Sequence, residues 1–256
     1  MTLSLFAAAA FADVQECPPR YSYCGYSGPE QWKNIVFKDK RNECNGTTQS
    51  PINLGTPTPT SGPTIHVEYV GNVAGNATIR NTGHDIEVTP MRGNNKIKVG
   101  SRVYTLLQLH FHVPNEHHVP RIDKAVAEMH ILHQLDGGTD YAVIGVMLTI
   151  GTPTDSALAP VFENLPKEAC APPKPLEINF KKLLPEELTG YYTYVGSLTT
   201  PPCTEKEKTV TWYVLDAPRE IPASDLLKLG ALGKNARPIQ TNPLTVTYVS
   251  PTPTPK

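Results

Sequence analysis

Two histidines separated by a single residue constrain this chain more than any other feature. His110 and His112 lie in the stretch 106–113 (LLQLHFHV), whose residue types predict a β-strand. Because successive side chains of a strand point to opposite faces, the two imidazoles share one face and Phe111 lies on the other. Two imidazoles on one face of a rigid strand can supply two ligands of a metal site. Ordinary half-buried strand histidines are the alternative.

A second strand-like stretch, 125–133 (AVAEMHILH), can supply the third ligand from a neighbouring strand. That ligand is His130, and Glu128 lies two residues before it on the same face. Catalytic zinc sites use three protein ligands and leave a fourth position for water, and neutral imidazole suits zinc. Ligating histidines usually donate their second N–H to a carboxylate or carbonyl, so Glu128 is expected to orient His130.

The composition and the residue patterns favour a single, mainly β domain. The chain has 256 residues with 26 Pro and 18 Gly, which favours many short strands joined by loops. The continuous apolar run 141–150 predicts a fully buried central strand, and helices are predicted only at 155–165 and 223–232. A net charge of −1 argues against nucleic acid as a partner.

The N-terminal stretch 1–12 (MTLSLFAAAAFA) predicts a signal-peptide remnant, because it is apolar and ends in a cleavage-like Ala-Phe-Ala. It is too short to cross a bilayer, and no other apolar run approaches its length, so no membrane span is predicted. We expect the folded body at 17–249 and an exposed Pro/Thr tail at 250–256.

The cysteines predict disulfides formed in an oxidising compartment, and therefore a secreted, periplasmic or extracellular protein. They show neither a CxxC pair nor metal-finger spacing: Cys17, Cys24, Cys44, Cys170 and Cys203. The odd count leaves one thiol unpaired or paired between chains. Buried free cysteines in a cytosolic protein are the alternative. Asn45 and Asn76 begin N-x-T sequons, which matter only if the source organism glycosylates its secreted proteins.

Eight separated motifs resemble those of the alpha-class carbonic anhydrases, in the family's order, across roughly residues 24–248. They are 26–32 (YSGPEQW), 49–52 (QSPI), 81–84 (NTGH), 108–112 (QLHFH), 116–117 (EH), 127–130 (AEMH), 196–202 (GSLTTPP) and 235–238 (NARP). The resemblance implies one mainly β domain with a large, mostly antiparallel twisted central sheet, a few short peripheral helices and a conical cavity with zinc at its base. It implies zinc-dependent, reversible hydration of CO2 to bicarbonate and a proton, by attack of zinc-bound hydroxide on CO2.

The resemblance also assigns roles to individual residues. The zinc ligands are His110, His112 and His130, and their hydrogen-bond partners are Gln108, Glu128 and the backbone carbonyl of Asn235. The catalytic group comprises Thr199, which accepts the proton of the hydroxide, Glu116, which accepts from Thr199, His84 as proton shuttle and Tyr26 in an ordered-water network. The CO2 pocket comprises Leu132, Val143, Leu198, Thr200, Val210 and Trp212. Cys44 and Cys203 match a disulfide, whereas Cys17, Cys24 and Cys170 stay unassigned, with Cys17 paired to Cys24 or to Cys170 as alternatives.

Sulfonamide and small-anion inhibitors are implied for such a site, and a homodimer is left open. Two other functions stay open on the sequence. The first is a non-catalytic binding protein on the same fold, although such relatives generally lack a ligand histidine and all three are present here. The second is a zinc esterase, although the narrow apolar pocket argues against large esters.

Overall fold

The fold is built on one large β-sheet, as predicted. The computed structural model describes residues 20–71, 74–153 and 157–250, and the strands in these ranges all join the same sheet. The strands are β1 (Pro59–Thr60), β2 (Ile65–Glu68), β3 (Ala77–Asn81), β4 (Ile86–Pro90), β5 (Lys96–Val99), β6 (Arg102–His112), β7 (Ala125–Leu135), β8 (Tyr141–Ile150), β9 (Lys174–Leu176), β10 (Glu187–Leu188), β11 (Tyr191–Gly196), β12 (Val210–Leu215), β13 (Arg219–Ile221) and β14 (Thr247–Val249).

The sheet is mostly antiparallel, and its three longest strands lie side by side near the middle. The main path through it runs β1-β14-β11-β12-β8-β7-β6-β4-β3-β9, with parallel pairing of β1 to β14 and of β8 to β12 and β13. The predicted central strand 141–150 is β8, and residues 142–148 are all buried. Both faces of β8 are covered, which explains an apolar run without alternation.

The helices are short and lie beside the sheet. They are α1 (Ala159–Glu163), α2 (Ala223–Gly230) and three 3₁₀ turns at Gly25–Ser27, Pro29–Asn34 and Phe180–Lys182. The prediction of helix at 155–165 was too long at both ends, since residues 157 and 158 form a turn before α1 begins at Ala159. Helix α1 ends at Glu163, three residues before Pro166, and a proline disfavours helical geometry in the residue that precedes it.

The two faces of the sheet carry separate apolar cores. The larger core contains Leu109 and Phe111 of β6 and Ile131 of β7, while the smaller one contains Val143 of β8 and Trp212 of β12. The histidines of β6 alternate with the residues of the larger core, so they point to the opposite face. The sheet thus fixes the direction of these side chains, because any change of register by one residue would reverse both faces.

The N-terminal arm is fastened to the loop that follows β11. The predicted disulfide between Cys44 and Cys203 is present and joins residues 159 positions apart. Beside it, Glu43 Oε2 accepts hydrogen bonds from the backbone N–H groups of Glu205 (2.6 Å) and Lys206 (2.9 Å). In return, the Glu205 carboxylate accepts from the backbone N–H of Thr48 at 2.8 Å.

We call Glu43 and Glu205 the carboxylate clasp. The Glu205 carboxylate also accepts from the backbone N–H of Thr47 (3.2 Å) and from Gln49 Nε2 (2.8 Å). A Cβ at Gly46 would overlap the Glu205 carboxylate, so the clasp requires a glycine there. Both glutamates are buried, and the loop they fasten is the one that carries Thr199.

The remaining cysteines differ from one another. Cys170 is disulfide-bonded, whereas Cys24 has a free thiol and is exposed. The alternative that pairs Cys17 with Cys24 is therefore wrong. Cys17 lies outside the described residues, as do the predicted leader 1–12 and the tail from residue 251, so these stay predictions.

Within the described ranges, no helix has the length and apolar character needed to cross a membrane.

Glu205→Gln should lower the free energy of unfolding at neutral pH by about 2–3 kcal/mol. The amide NH2 that replaces one carboxylate oxygen would face either the backbone N–H of Thr47 or the donors of Thr48 and Gln49, and it cannot accept a hydrogen bond from them. Burial raises the pKa of Glu205, but hydrogen bonds from Gln49, Thr48 and Thr47 outweigh it, so the net pKa is lowered. A carboxyl with a lowered folded-state pKa adds stability above its unfolded pKa of about 4.3 and loses it as the pH falls through the folded value.

Urea unfolding of the Glu205→Gln variant should therefore show a large loss at pH 7 that shrinks below about pH 4. Glu168→Gln, at an exposed position, is the matched control and should change little at either pH. A loss of the same size at both pH values would contradict an ionised clasp.

Candidate active site

Three histidines converge at the face of the sheet that carries the smaller core. His110 and His112 lie on β6, and His130 of β7 pairs directly with His110 across the two strands. The ring centroids are separated by 4.9 Å for His110 and His112, 5.2 Å for His110 and His130, and 4.5 Å for His112 and His130. One nitrogen from each ring lies within 4.8 Å of the others, as the sequence predicts.

Each of these rings has its other nitrogen engaged by the protein. His110 Nδ1 is 2.7 Å from Gln108 Oε1, and His112 Nδ1 is 2.7 Å from the backbone carbonyl oxygen of Asn235. His130 Nε2 is 2.9 Å from Glu128 Oε1. These acceptors place a proton on the contacting nitrogen, so the opposite nitrogen of each ring carries a free lone pair.

The free lone pairs fit a metal ion. His112 Nε2 is buried and has no hydrogen-bond partner, which is costly for a polar atom unless a ligand occupies the space it faces. Burial lowers the pKa of His110, His112 and His130, so all three are held in the neutral form that binds metal. Three neutral imidazoles with an open fourth position are a donor set for zinc.

The Glu128 carboxylate contacts both a histidine of the cluster and the backbone beside the cluster. Besides His130, its Oε1 contacts His117 Nδ1 at 2.7 Å, and its Oε2 accepts from the backbone N–H groups of Glu116 and His117, both at 2.8 Å. Burial raises the pKa of Glu128, but the interactions with His117 and His130 outweigh it and hold the pKa well below its usual range. The carboxylate is therefore ionised while fully buried.

Glu116 and Thr199 lie together beside the histidines. Glu116 Oε1 accepts from the backbone N–H of Arg237 at 2.7 Å, and burial raises the pKa of Glu116 to about 7. His130, the Arg237 N–H and the Thr199 side chain oppose that rise in pKa. The contact with Thr199 falls outside ordinary hydrogen-bond geometry, since Glu116 Oε2 has no partner that meets it.

A small cavity of about 70 Å³ opens beside His110 and His130. Its remaining lining residues are Gln108, Leu132, Val143, Leu198, Thr199, Thr200 and Trp212. A water molecule occupies about 30 Å³ of liquid, so this space holds only a very small molecule. Val210 is fully buried in the smaller core, to which the lining residues Val143 and Trp212 also belong, so its role as a lining residue stays a prediction.

Larger grooves lie elsewhere and carry none of the predicted site residues. One of about 600 Å³ includes Leu184 and Asp216, and one of about 520 Å³ includes Leu158 and Pro222. The volume of a cavity therefore does not identify the site. The convergence of the three histidine nitrogens does.

His84 lies against the aromatic residues of the N-terminal arm. Its ring stacks on Tyr21 with centroids 3.7 Å apart and meets the edge of Tyr23 at 5.9 Å. Burial lowers the pKa of His84 to about 4, and Nε2 is buried without a hydrogen-bond partner. The ring is thus held in a partly buried, neutral state in this conformation.

The prediction that Tyr26 belongs to the site is wrong, because Tyr26 does not lie in the site. Tyr26 lies in the 3₁₀ turn Gly25–Ser27, which has no buried residue, and its side chain is fully exposed. Tyr23 was missed: its hydroxyl is buried without a partner and interacts electrostatically with Glu116, and burial raises its pKa well above the usual range. The Tyr-x-Tyr pattern at 21–23 was the available signal, since the arm is extended there.

Comparison with protein families gives a match over most of the chain. Residues 27–253 match a family model described as eukaryotic-type carbonic anhydrase. The chain is 33% identical over 242 residues to a carbonic anhydrase of Neisseria gonorrhoeae, covering 94% of this chain and 90% of that protein. It is 30% identical over 249 residues to dioscorin DB3L of Dioscorea polystachya, covering 92% and 87%.

Solved structures agree with these matches. The complex of an alpha-carbonic anhydrase from Thermovibrio ammonificans with the inhibitor sulfanilamide is 32% identical to this chain. It superposes with a TM-score of 0.76 and covers 89% of this chain and 98% of that one.

Glu128→Gln should lower the free energy of unfolding by about 3–5 kcal/mol, the cost of removing one partner from a buried charged network. The amide nitrogen would face two backbone N–H donors, or two histidine rings, whichever way the side chain is turned. Thermal and urea unfolding of the protein stripped of metal by a chelator measures this loss without metal binding. Glu187→Gln, at an exposed carboxylate, is the control, and a loss of similar size there would contradict the special role of Glu128.

Proposed function

The chain belongs to the eukaryotic-type, or alpha-class, carbonic anhydrases, and from this we propose that its histidine cluster catalyses the reversible hydration of CO2 to bicarbonate and a proton. The observation that carries the proposal is the convergence of three imidazoles, each with its second nitrogen already hydrogen-bonded. The class contains enzymes, so the reaction follows from family and site together.

We assign zinc as the cofactor of His110 Nε2, His112 Nε2 and His130 Nδ1. The orphaned His112 Nε2 supports this assignment, as do the lowered pKa values of the three rings. Zinc, when bound, supplies a Lewis acid that makes water a better nucleophile near neutral pH.

Thr199 and Glu116 would orient the nucleophile. If the Thr199 hydroxyl gives its single proton to Glu116, only its lone pairs remain, so it accepts a hydrogen bond from the attacking group. The backbone N–H of Arg237 keeps the Glu116 carboxylate in place at 2.7 Å. Fixing the direction of a nucleophile is worth a large part of a catalytic barrier.

The small cavity beside the histidines would hold CO2. Leu132, Val143 and Leu198 supply an apolar wall, and CO2 is itself apolar. We expect Thr200, at the rim of the same cavity, to contact the more polar product. A space of about 70 Å³ argues against large esters as the main substrates.

His84 would carry the released proton to the solvent. A group that exchanges protons at neutral pH works best with a pKa near 7, whereas the stacked ring has a pKa lowered by burial to about 4. We infer that His84 acts when its ring leaves Tyr21 and is solvated, because solvation returns the pKa towards its usual range.

Export to an oxidising compartment is part of the proposal. The Cys44–Cys203 disulfide supports it, since such bonds persist outside the reducing cytosol. Inhibition by aryl sulfonamides and small anions is expected at the open metal position. The complex of the Thermovibrio ammonificans enzyme with the inhibitor sulfanilamide supports the expectation for sulfonamides.

Purified protein should contain one zinc ion per chain and hydrate CO2 in a stopped-flow indicator assay, with inhibition by an aryl sulfonamide. His110→Ala should lower the activity by more than about 100-fold, because it removes a ligand and opens the metal shell. His66→Ala, an exposed histidine, is the matched control and should keep full activity.

Three results would contradict this reading. Protein that takes up no zinc would favour a non-catalytic binding protein on the same fold. Protein that binds zinc and cleaves esters but does not hydrate CO2 would favour the esterase. Full activity in His110→Ala would place the reaction elsewhere.

A further inference from the structure

The two N-x-T sequons differ sharply in their surroundings, and neither belongs to the catalytic machinery. The first is Asn45-Gly46-Thr47 and the second is Asn76-Ala77-Thr78. We propose that Asn45 is a site of N-linked glycosylation and that Asn76 is not.

Asn76 is committed to the fold. Its side chain is buried, its Nδ2 donates to the Ile178 carbonyl at 2.6 Å, and its Oδ1 accepts from the Ile178 N–H at 3.0 Å. A glycan is attached through that same Nδ2 and must extend into solvent. A chain modified at Asn76 would have to fit a sugar against the buried Nδ2, so the fold could not close around this position with both hydrogen bonds to Ile178 in place.

Asn45 has the opposite environment. It lies in an exposed turn directly after Cys44, and its side-chain amide makes no hydrogen bond within the described residues. Thr47 is also exposed, and its hydroxyl is not used elsewhere in the part of the chain that the structure describes. A glycan on Asn45 can project into solvent without displacing the clasp, because the clasp contacts the backbone of Thr47 and Thr48.

The modification is a group transfer from a lipid-pyrophosphate-linked oligosaccharide, catalysed by an oligosaccharyltransferase. The bond from Asn45 Nδ2 to the anomeric carbon forms, and the bond from that carbon to the pyrophosphate oxygen breaks. The amide loses one proton to a base of the transferase, and the lipid pyrophosphate leaves. The eukaryotic secretory pathway supplies the donor and the transferase to a chain that is exported through it.

The full chain, secreted from a eukaryotic cell line, tests the assignment by intact mass before and after peptide-N-glycosidase. Thr47→Ala and Thr78→Val each destroy one sequon while leaving its asparagine in place, and valine suits the strand position of Thr78. We expect one enzyme-sensitive glycan in the wild type and in Thr78→Val, and none in Thr47→Ala. Wild-type protein without a glycan, or a glycan that survives Thr47→Ala, would overturn the proposal.

A second inference concerns the turn that carries His84, and it rests on the proposed function. The turn is held from outside the site by Asn81, the last residue of β3. Asn81 Oδ1 accepts from the Gly83 N–H at 2.9 Å, and Asn81 Nδ2 donates to the Pro166 carbonyl at 3.2 Å. We infer that Asn81 is a positioning residue for proton transfer by His84.

Several contacts join the turn to the segment 166–170. The Asn81 backbone carbonyl accepts from the Cys170 N–H at 2.8 Å, and Cys170 is itself disulfide-bonded, so the segment is tethered. Asn81 is buried, and Gly83 has a φ of +88°, a conformation that glycine adopts readily and that the Asn81 side chain holds through the Gly83 N–H. The backbone before His84 is thus fixed by Asn81 and, through it, by the segment 166–170.

The other side of the turn is closed by Thr82. Its hydroxyl donates to Asp85 Oδ1 at 2.6 Å and accepts from the backbone N–H groups of His84 (3.2 Å) and Asp85 (3.1 Å). The backbone on both sides of His84 is therefore rigid while the ring can rotate. Loss of the Asn81 contacts would let the whole turn move and displace the ring from the path of the proton.

Kinetic measurements in weak buffer distinguish a loss of His84 positioning from a general loss of enzyme activity. Proton release follows the conversion of CO2, so Asn81→Ala should lower kcat at least about threefold and leave kcat/KM unchanged. Added imidazole should restore kcat, and His84→Ala combined with Asn81→Ala should be no slower than His84→Ala alone. Asn81→Ser, whose hydroxyl can close the same turn, should recover kcat.

Asn164→Ala, at an exposed asparagine near the same segment, is the control and should behave as wild type. Wild-type kcat in Asn81→Ala, an equal fall in kcat and kcat/KM in both Asn81 variants, or full kcat in His84→Ala would overturn the inference. Wild-type protein without zinc-dependent CO2 hydration would instead refute the proposed function.

Discussion

A buried ionised carboxylate costs several kcal/mol unless each lone pair meets a donor, and Glu128 meets that condition inside the sheet. The Glu128 carboxylate oxygens contact the rings of His130 and His117 and accept from the backbone N–H of Glu116, in the segment before β7. The same contacts turn His130, fix the segment that carries Glu116 and keep the carboxylate charged. The geometry of the histidine cluster and the position of Glu116 therefore depend on one group.

The ligand histidines of β6 and the residues that anchor this strand lie on opposite faces of the sheet. Leu109 and Phe111 anchor β6 in the larger core, so the strand fixes the direction of His110 and His112, and the carbonyl of Asn235 fixes the ring of His112. The Thr199 loop lacks such support, and the disulfide together with the carboxylate clasp supplies it. Rigid strands thus position the ligands, and covalent and ionic links position the loop.

Local periodicity was sufficient for the parts of the structure that strands determine. The shared face of His110 and His112 and the buried run of β8 follow from a period of two and were confirmed. Bounds that depend on flanking residues were less well predicted, as the short helix α1 shows. Residues brought in from a distance could not be placed by pattern alone, so Tyr23 was overlooked in favour of exposed Tyr26.

The hydrogen bond from His112 to the carbonyl of Asn235 spans 123 residues of sequence. The ribosome synthesises the three histidines of the cluster close together. Asn235, whose carbonyl selects the tautomer of His112, is synthesised much later. A nascent chain therefore holds all its ligands before it holds a finished site. On the proposed zinc assignment, tight metal uptake is expected only after this long-range contact has formed, because metal affinity depends on a completed site.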